Sequence, residues 1–198
     1  MTGNIQPRMQ EARIPPHAYR TTLSTLGQAV LRSVIDDRAY SSQGSLKSFS
    51  LVQSRIDAQH FSVVVARFAA ELLLKGQTVF YVRAAAIERE LQAYSYDPTN
   101  AVLSPVLSKL GKGFLVIPDV CSGLMEASWP APGLCDFLIE HASLGGGLVL
   151  GRQLPNEWQG SPAPADASLY RDLTPDFEAM VATFTRVDIR AHDSLRTP

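Results

Sequence analysis

Cysteine is scarce in this chain of 198 residues: Cys121 and Cys135 are the only two, and no cluster of histidine and cysteine surrounds either. The pair makes no metal-site signature. Cys135 lies in an apolar stretch beside Leu134 and Phe137, which favours an inert thiol. No segment approaches the roughly 18–20 uninterrupted apolar residues of a membrane span. Residues 1–13 lack the apolar centre of a secretory signal, so a cytoplasmic location is the default expectation. Neither charge dominates: 18 Lys and Arg stand against 19 Asp and Glu, for a net charge of −1. That balance argues against a strongly basic nucleic-acid binder. His17, His141 and His192 are scattered without ligand spacing and read as surface or capping residues. There is no Ser/His/Asp or Cys/His set, no internal repeat and no low-complexity tract.

The chain does have apolar content, 45% hydrophobic against 19% charged residues, enough for one soluble α/β domain with a substantial core. Residues 1–13 are polar and read as a mobile tail. Ile14-Pro15-Pro16 marks the start of a single domain over 14–198. The spacing of Leu26, Ala29, Val30, Val34 and Ile35 predicts a helix over 25–38. From Phe49 onward strand and helix alternate. Strands are expected at 49–53, 78–82, 113–117, 147–150 and 181–188. Helices are expected at 61–75, 84–94, 100–110 and 133–143, with a short one near 174–179. Continuous apolar runs such as Phe114-Leu115-Val116-Ile117 imply a sheet covered on both faces. The alternation predicts a three-layer α/β/α domain with a mainly parallel five-stranded sheet. Gly145-Gly146-Gly147 and Gly111-Lys112-Gly113 each precede a strand and read as turns. Residues 155–168 are rich in Pro and small residues and read as a loop.

The first strand-to-helix connection is where a phosphate-binding loop, G-x-x-x-x-G-K-[ST], would stand in a nucleotide-binding domain of this order. Counted back from the turn at Gly76, the span is Arg55-Ile56-Asp57-Ala58-Gln59-His60-Phe61-Ser62. Arg55 and His60 take the glycine positions, Phe61 takes the lysine position, and only the hydroxyl of Ser62 agrees. The loop needs glycine so that backbone N–H groups can wrap phosphates, and lysine to neutralise them. Phe61 reads as a core residue. Arg55 and His60 keep some capacity to attract an anion, because a helix N-terminus favours negative charge.

The order of motifs resembles the helicase-loader and transposition-helper ATPases of the DnaC/IstB type, within the AAA+ class. The segment Arg13-Ile14-Pro15-Pro16-His17-Ala18-Tyr19 is similar to that family's I-P-x-x-[FY] opening. Residues 74–82 and 84–91 are similar to its second strand and following helix. Gly113-Phe114-Leu115-Val116-Ile117-Pro118-Asp119 falls where its Walker B strand ends in two acids. Residues 151–158 resemble its sensor-1 segment, and residues 187–196 its terminal strand ending in S-x-R. The resemblance covers most of 13–196 and implies an AAA+/RecA-like P-loop NTPase scaffold.

The departures fall on the positions that the resemblance makes catalytic. Besides the loop, the first Walker B acid is Pro118, where a Mg²⁺-holding carboxylate would stand. Only Asp119 remains, at the place of the water-polarising acid. It reads as a vestigial acid or as a cap on the strand end that bonds local backbone. Gln153 takes the sensor-1 asparagine position. Arg55, His60, Phe61, Ser62, Asp119 and Gln153 therefore form a vestigial nucleotide site, and neither ATP nor Mg²⁺ binding is expected. Trp129 and Trp158 are candidate anchors for a protein partner, and Arg186, Arg190 and Arg196 candidate contacts to protein or solvent, with a DNA phosphate as a third option that the overall charge disfavours. The expected function is a non-catalytic protein-interaction module in replication, transposition or a mobile element, as a monomer or dimer. Two alternatives stand beside it. One is a nucleic-acid-binding accessory factor with a basic face made by residues such as Arg83, Arg89, Arg152 and Arg186. The other is an α/β enzyme using a strand-end residue such as Asp119 or Arg83, or an ATPase with an unorthodox nucleotide site.

Overall fold

A computed structural model describes residues 6–16, 18, 47–53, 58–96, 113–120, 132–152 and 175–189. The elements in chain order are α1 (Gln6–Glu11), β1 (Phe49–Gln53), α2 (Ala58–Leu74), β2 (Val79–Tyr81), α3 (Ala84–Tyr96), β3 (Phe114–Ile117), α4 (Pro132–Ser143), β4 (Gly147–Arg152), α5 (Pro175–Ala182) and β5 (Thr185–Ile189). The five strands form one sheet in the order β2-β3-β4-β1-β5, and every pairing is parallel. The expected helices at 25–38 and 100–110 and the loop at 155–168 lie outside the described residues.

The apolar strands are covered on both faces because alternate residues have separate cores. Phe49 and Leu51 of β1, Phe114 and Val116 of β3 and Val149 of β4 pack with α2 and the N-terminal segment. Phe80, Leu115, Ile117, Leu148 and Leu150 point the other way, against α3, α4 and α5. Phe49 stands edge-on to Phe68 of α2, ring centres 5.3 Å apart. A one-residue slip in any strand would exchange the two cores, so the alternation fixes the register.

Two expectations are corrected at the chain's ends. Residues 1–13 do not form a mobile tail throughout: α1 occupies Gln6–Glu11, and Met9 and Ala12 are buried in the core that α2 shares with the sheet. The segment is held by polar contacts as well. Arg8 Nη2 donates to the Leu73 carbonyl at the end of α2 at 3.2 Å, and the Tyr81 N–H of β2 donates to the Ala12 carbonyl at 2.8 Å. At the other end, the strand expected over 181–188 begins only at Thr185, because α5 runs on to Ala182. Buried Phe177 and Val181, four residues apart on one helix face, hold that last turn to the sheet.

Helices α1, α2 and α4 end in the same way. The residue after the last turn adopts a left-handed conformation, and two backdonated N–H groups satisfy the orphan carbonyls. Gly76 (φ 84°) and Gly145 (φ 85°) do this for α2 and α4, whereas α1 uses Arg13 (φ 56°). A non-glycine residue pays a conformational penalty there. The Arg13 guanidinium lies 5.1 Å over the Phe80 ring, a cation–π contact that opposes the penalty.

His141 is buried, not a surface residue as its scattered position suggests. The chain turns at Gly145 and Gly146 directly over its ring, and a side-chain carbon at Gly146 would overlap the imidazole. Burial pushes the His141 pKa below its ordinary value, against smaller opposing effects of the Gly147 and Gly113 backbones. The unfolded chain therefore binds this proton more readily than the folded one, and stability falls as pH drops through and below about 6.5. Urea unfolding of wild type and His141→Leu between pH 7.5 and 5 is expected to show a shallower pH slope in the variant. Identical slopes would show that His141 carries no share of the dependence.

Candidate functional site

All strands are parallel, so their carboxyl ends gather at one edge of the sheet. In such sheets a ligand crevice opens where the helices following two adjacent strands leave to opposite faces. Here α2, following β1, packs on one face, while α3, α4 and α5 pack on the other. Since β1 lies beside β4, the crevice position is between the ends of these two strands.

The phosphate-loop position can be judged from α2. This helix begins at Ala58, three residues before the expected start, which leaves only residues 54–57 between it and β1. His60 thus belongs to the first helical turn, not to a loop. Phe61 is fully buried in the α2 core with Phe49 and Phe68. Its ring is part of the packing that holds the helix to the sheet. Ser62 is half-buried on the same turn. Further along, α2 is buried on all sides from Val64 to Leu73. This stretch includes a buried ion pair, Arg67 Nη2 to Glu71 Oε1, at 2.6 Å.

Among the described residues, Asp119 is a buried polar group at the strand ends. It stands just past β3 and is 6% exposed. Its Oδ1 accepts the Ala84 N–H at the start of α3 at 2.9 Å, and its Oδ2 accepts Arg83 Nε at 2.8 Å. A buried carboxylate requires such partners. An acceptor at a helix start also satisfies an N–H that the helix leaves unpaired and meets the positive end of its dipole. The contact joins the end of β3 to the turn after β2. Arg83 itself is mostly exposed, with 76% of its side chain open to solvent. Its pKa is raised, first by the hydrogen bond to Asp119 and then by that charge. Nearby, the Tyr81 hydroxyl is pushed well above its ordinary pKa, chiefly by burial and further by Asp119, with Arg83 opposing.

The exit from β3 also closes on β4. The Val120 N–H donates to the Gly151 carbonyl at 2.9 Å, and the Pro118 carbonyl occupies the place a Gly151 side chain would take. Pro118, where the resemblance leads one to expect a metal-holding acid, is buried against this neighbour.

The structure brings Asp119 together with Arg83, which the sequence offered only as one of several basic residues. Register shows why they meet. Tyr81 pairs with Val116, so Arg83 falls beside Pro118 at the ends of adjacent strands. The missing knowledge was that β2 and β3 are neighbours. Gly151 was also missed; a glycine inside a strand is itself a signal of close backbone approach. Arg186 lies half-buried on β5, opposite Ser50 of β1. Arg55, Trp129, Gln153, Trp158, Arg190 and Arg196 lie outside the described residues. Among the described residues there is no group of three or more His, Cys, Asp or Glu side chains that could hold a metal, and no helix long and apolar enough to cross a membrane.

No family model matches the chain, and no curated protein matches it. Solved structures do. The DnaC helicase loader is 12% identical, with a TM-score of 0.59 over 89% of this chain and 100% of that one. DnaI is 14% identical, with a TM-score of 0.56 over 88% and 93%. The replication initiator DnaA bound to AMPPCP and single-stranded DNA is 10% identical, with a TM-score of 0.52 over 89% and 50%.

The fold is that of an AAA+ P-loop NTPase.

This chain spans about half the length of the DnaA structures it matches. Within the AAA+ frame, Asp119 occupies the end of the third strand with both carboxylate oxygens engaged by the β2–α3 turn. Asp119→Ala removes the acceptor for a helix N–H and is expected to cost about 1–3 kcal/mol in urea unfolding. Arg83→Ala is expected to cost less, since water can replace an exposed guanidinium at Oδ2. The reverse order would show that the ion pair, not the helix cap, is the main contribution.

Proposed function

We propose that this protein is a non-catalytic AAA+-like interaction module, accessory to DNA replication or transposition. The observation that carries the reading is the burial of Phe61. Phe61 is buried in the core where a phosphate-binding lysine would project, and α2 starts after a connection of only residues 54–57. Asp119 supports the same reading, because its carboxylate holds the β2–α3 turn together. Pro118 cannot ligate Mg²⁺ through a side chain. The replication setting is drawn from the likeness to the DnaC helicase loader and the replication initiator DnaA. Without a nucleotide bridging neighbouring subunits, the protein acts as a monomer or dimer.

The test is a thermal-shift and calorimetric titration with ATP, ADP and Mg²⁺. A ligand present at 100 times its Kd adds about 2.7 kcal/mol of stability. The expected outcome is no shift and no heat at millimolar nucleotide. Micromolar binding would contradict the proposal.

One observation favours a second reading, nucleic-acid contact. Arg83 is exposed yet held in place by Asp119, and Arg89 is exposed on α3, which begins beside it. A phosphate contact of that kind weakens steeply with salt. Single-stranded DNA binding that falls with salt and weakens in Arg83→Gln would support this reading; binding indifferent to both would remove it.

A further inference from the structure

A cavity of about 430 Å³ lies away from the strand carboxyl ends, between the N-terminal segment and the α2–β2 turn. Its lining includes Arg8, Glu11 and Arg13 on one side and Gln77, Thr78 and Val79 on the other. The volume falls within the roughly 300–1,000 Å³ of ordinary ligand pockets. Two features of the cavity select its occupant.

The first is backbone. β2 is an edge strand of the sheet. The Thr78 carbonyl accepts the Phe114 N–H, and the Val82 N–H donates to the Val116 carbonyl, so even-numbered residues of this strand face β3. In a parallel ladder the alternate residues turn their polar groups to the opposite side. Tyr81 accordingly gives its N–H to Ala12, and the N-terminal segment covers that part of the edge. The segment then leaves, since the Ile14 N–H bonds back to the Met9 carbonyl. By that alternation the peptide groups of Val79, a residue 5% exposed that lines the cavity, turn away from β3, and no described residue bonds them across it. An edge of this kind takes up an extended chain by main-chain hydrogen bonds.

The second feature is charge. Arg8 and Arg13 stand on the cavity wall against the single acid Glu11. Both guanidiniums are held: Arg8 on the Leu73 carbonyl, and Arg13 over Phe80. Held arginines suit carboxylates, with little further ordering needed on binding. The rim glycine, Gly76, leaves open space where a side chain would stand.

We propose that this cavity binds a short, extended, acidic peptide segment of a protein partner, added to β2 beside Val79 with its carboxylates on Arg8 and Arg13. The proposal rests on the reading of the protein as an interaction module and supplies the chemistry of its partner.

The test uses two degenerate hexapeptide pools. One alternates Asp or Glu with Val, Ile or Thr; the other has Lys or Arg in the acidic positions. Binding to the full chain is followed by fluorescence anisotropy, and the Val79 amide by ¹H–¹⁵N spectra. The acidic pool is expected to bind at least about tenfold more tightly than the basic pool, a difference of about 1.4 kcal/mol. It should shift the Val79 amide signal and slow its hydrogen exchange. Arg8→Glu combined with Arg13→Glu should abolish the preference, while Arg8→Lys combined with Arg13→Lys, which leaves the charge in place if the reversal disrupts α1, should retain it. Equal binding of the two pools would overturn the proposal. So would acidic binding that leaves Val79 untouched, since charge attraction alone would then account for it. A nucleotide titration on the same sample separates the two claims. Nucleotide binding contradicts the non-catalytic reading whatever the peptides do, and absent peptide binding in a nucleotide-silent protein removes the cavity proposal alone.

Discussion

The carboxylate of Asp119 is the contact on which the arrangement of the strand ends depends. One oxygen takes the first free N–H of α3 and the other takes Arg83 Nε, so the end of β3 and the turn after β2 move as one piece. Parallel strands are joined by long crossovers, so how their ends meet is set by local contacts. A buried acid with two donors does so locally. The adjoining Pro118 carbonyl against Gly151, and the Val120 hydrogen bond to Gly151, continue the join to β4. Three of the five strands are thereby tied at the edge where open parallel sheets place ligands.

On the reading proposed above, the same edge belongs to a scaffold that has outlasted its ligand site. In this chain α2 gains from apolar burial what a phosphate loop would have required in polar, glycine-rich backbone. Phe61 contributes a fully buried ring, and the helix starts early enough that residues 54–57 alone connect it to β1. Burying an aromatic side chain favours folding by roughly 1.5–3 kcal/mol, whereas a lysine in that place would have to reach solvent or a ligand. The N-terminal segment strengthens the other end of the same helix. Met9 and Ala12 enter its core, Arg8 caps its last turn, and the Ala12 carbonyl covers part of the sheet edge. A polar, proline-flanked stretch thus becomes the strap that joins α2 to β2.

Much of the fold was legible because period and punctuation agree. The apolar runs at β1, β3 and β4 are short and bounded by turn residues, and the helices following β1 and β3 end at Gly76 and Gly145, where a left-handed residue is required. The α1 segment was not legible, since six residues bearing a lone Met and a nearby Ala carry too little period to compete with their polar neighbours. Its burial is decided by the surface that α2 and β2 offer. The boundary at Ala182 failed for a related reason. Val181 is β-branched and sits beside a true strand, yet its contact with the far core keeps it helical. At the site, the absence of a phosphate loop could be read directly from Arg55, His60 and Phe61. The role of Asp119 was readable only as an alternative between acid and cap. Choosing between them needs the order of the strands, which brings Arg83 and Ala84 to it.

The most direct measurement is amide hydrogen exchange at Ala84, followed in the full chain with and without millimolar ATP and Mg²⁺. If Asp119 is a structural acceptor in a protein without a nucleotide site, the Ala84 amide exchanges slowly and the nucleotide leaves its rate unchanged. If ATP and Mg²⁺ draw Asp119 away to a metal or a water, the Ala84 amide loses its acceptor and its exchange changes on nucleotide addition; that result would contradict the account.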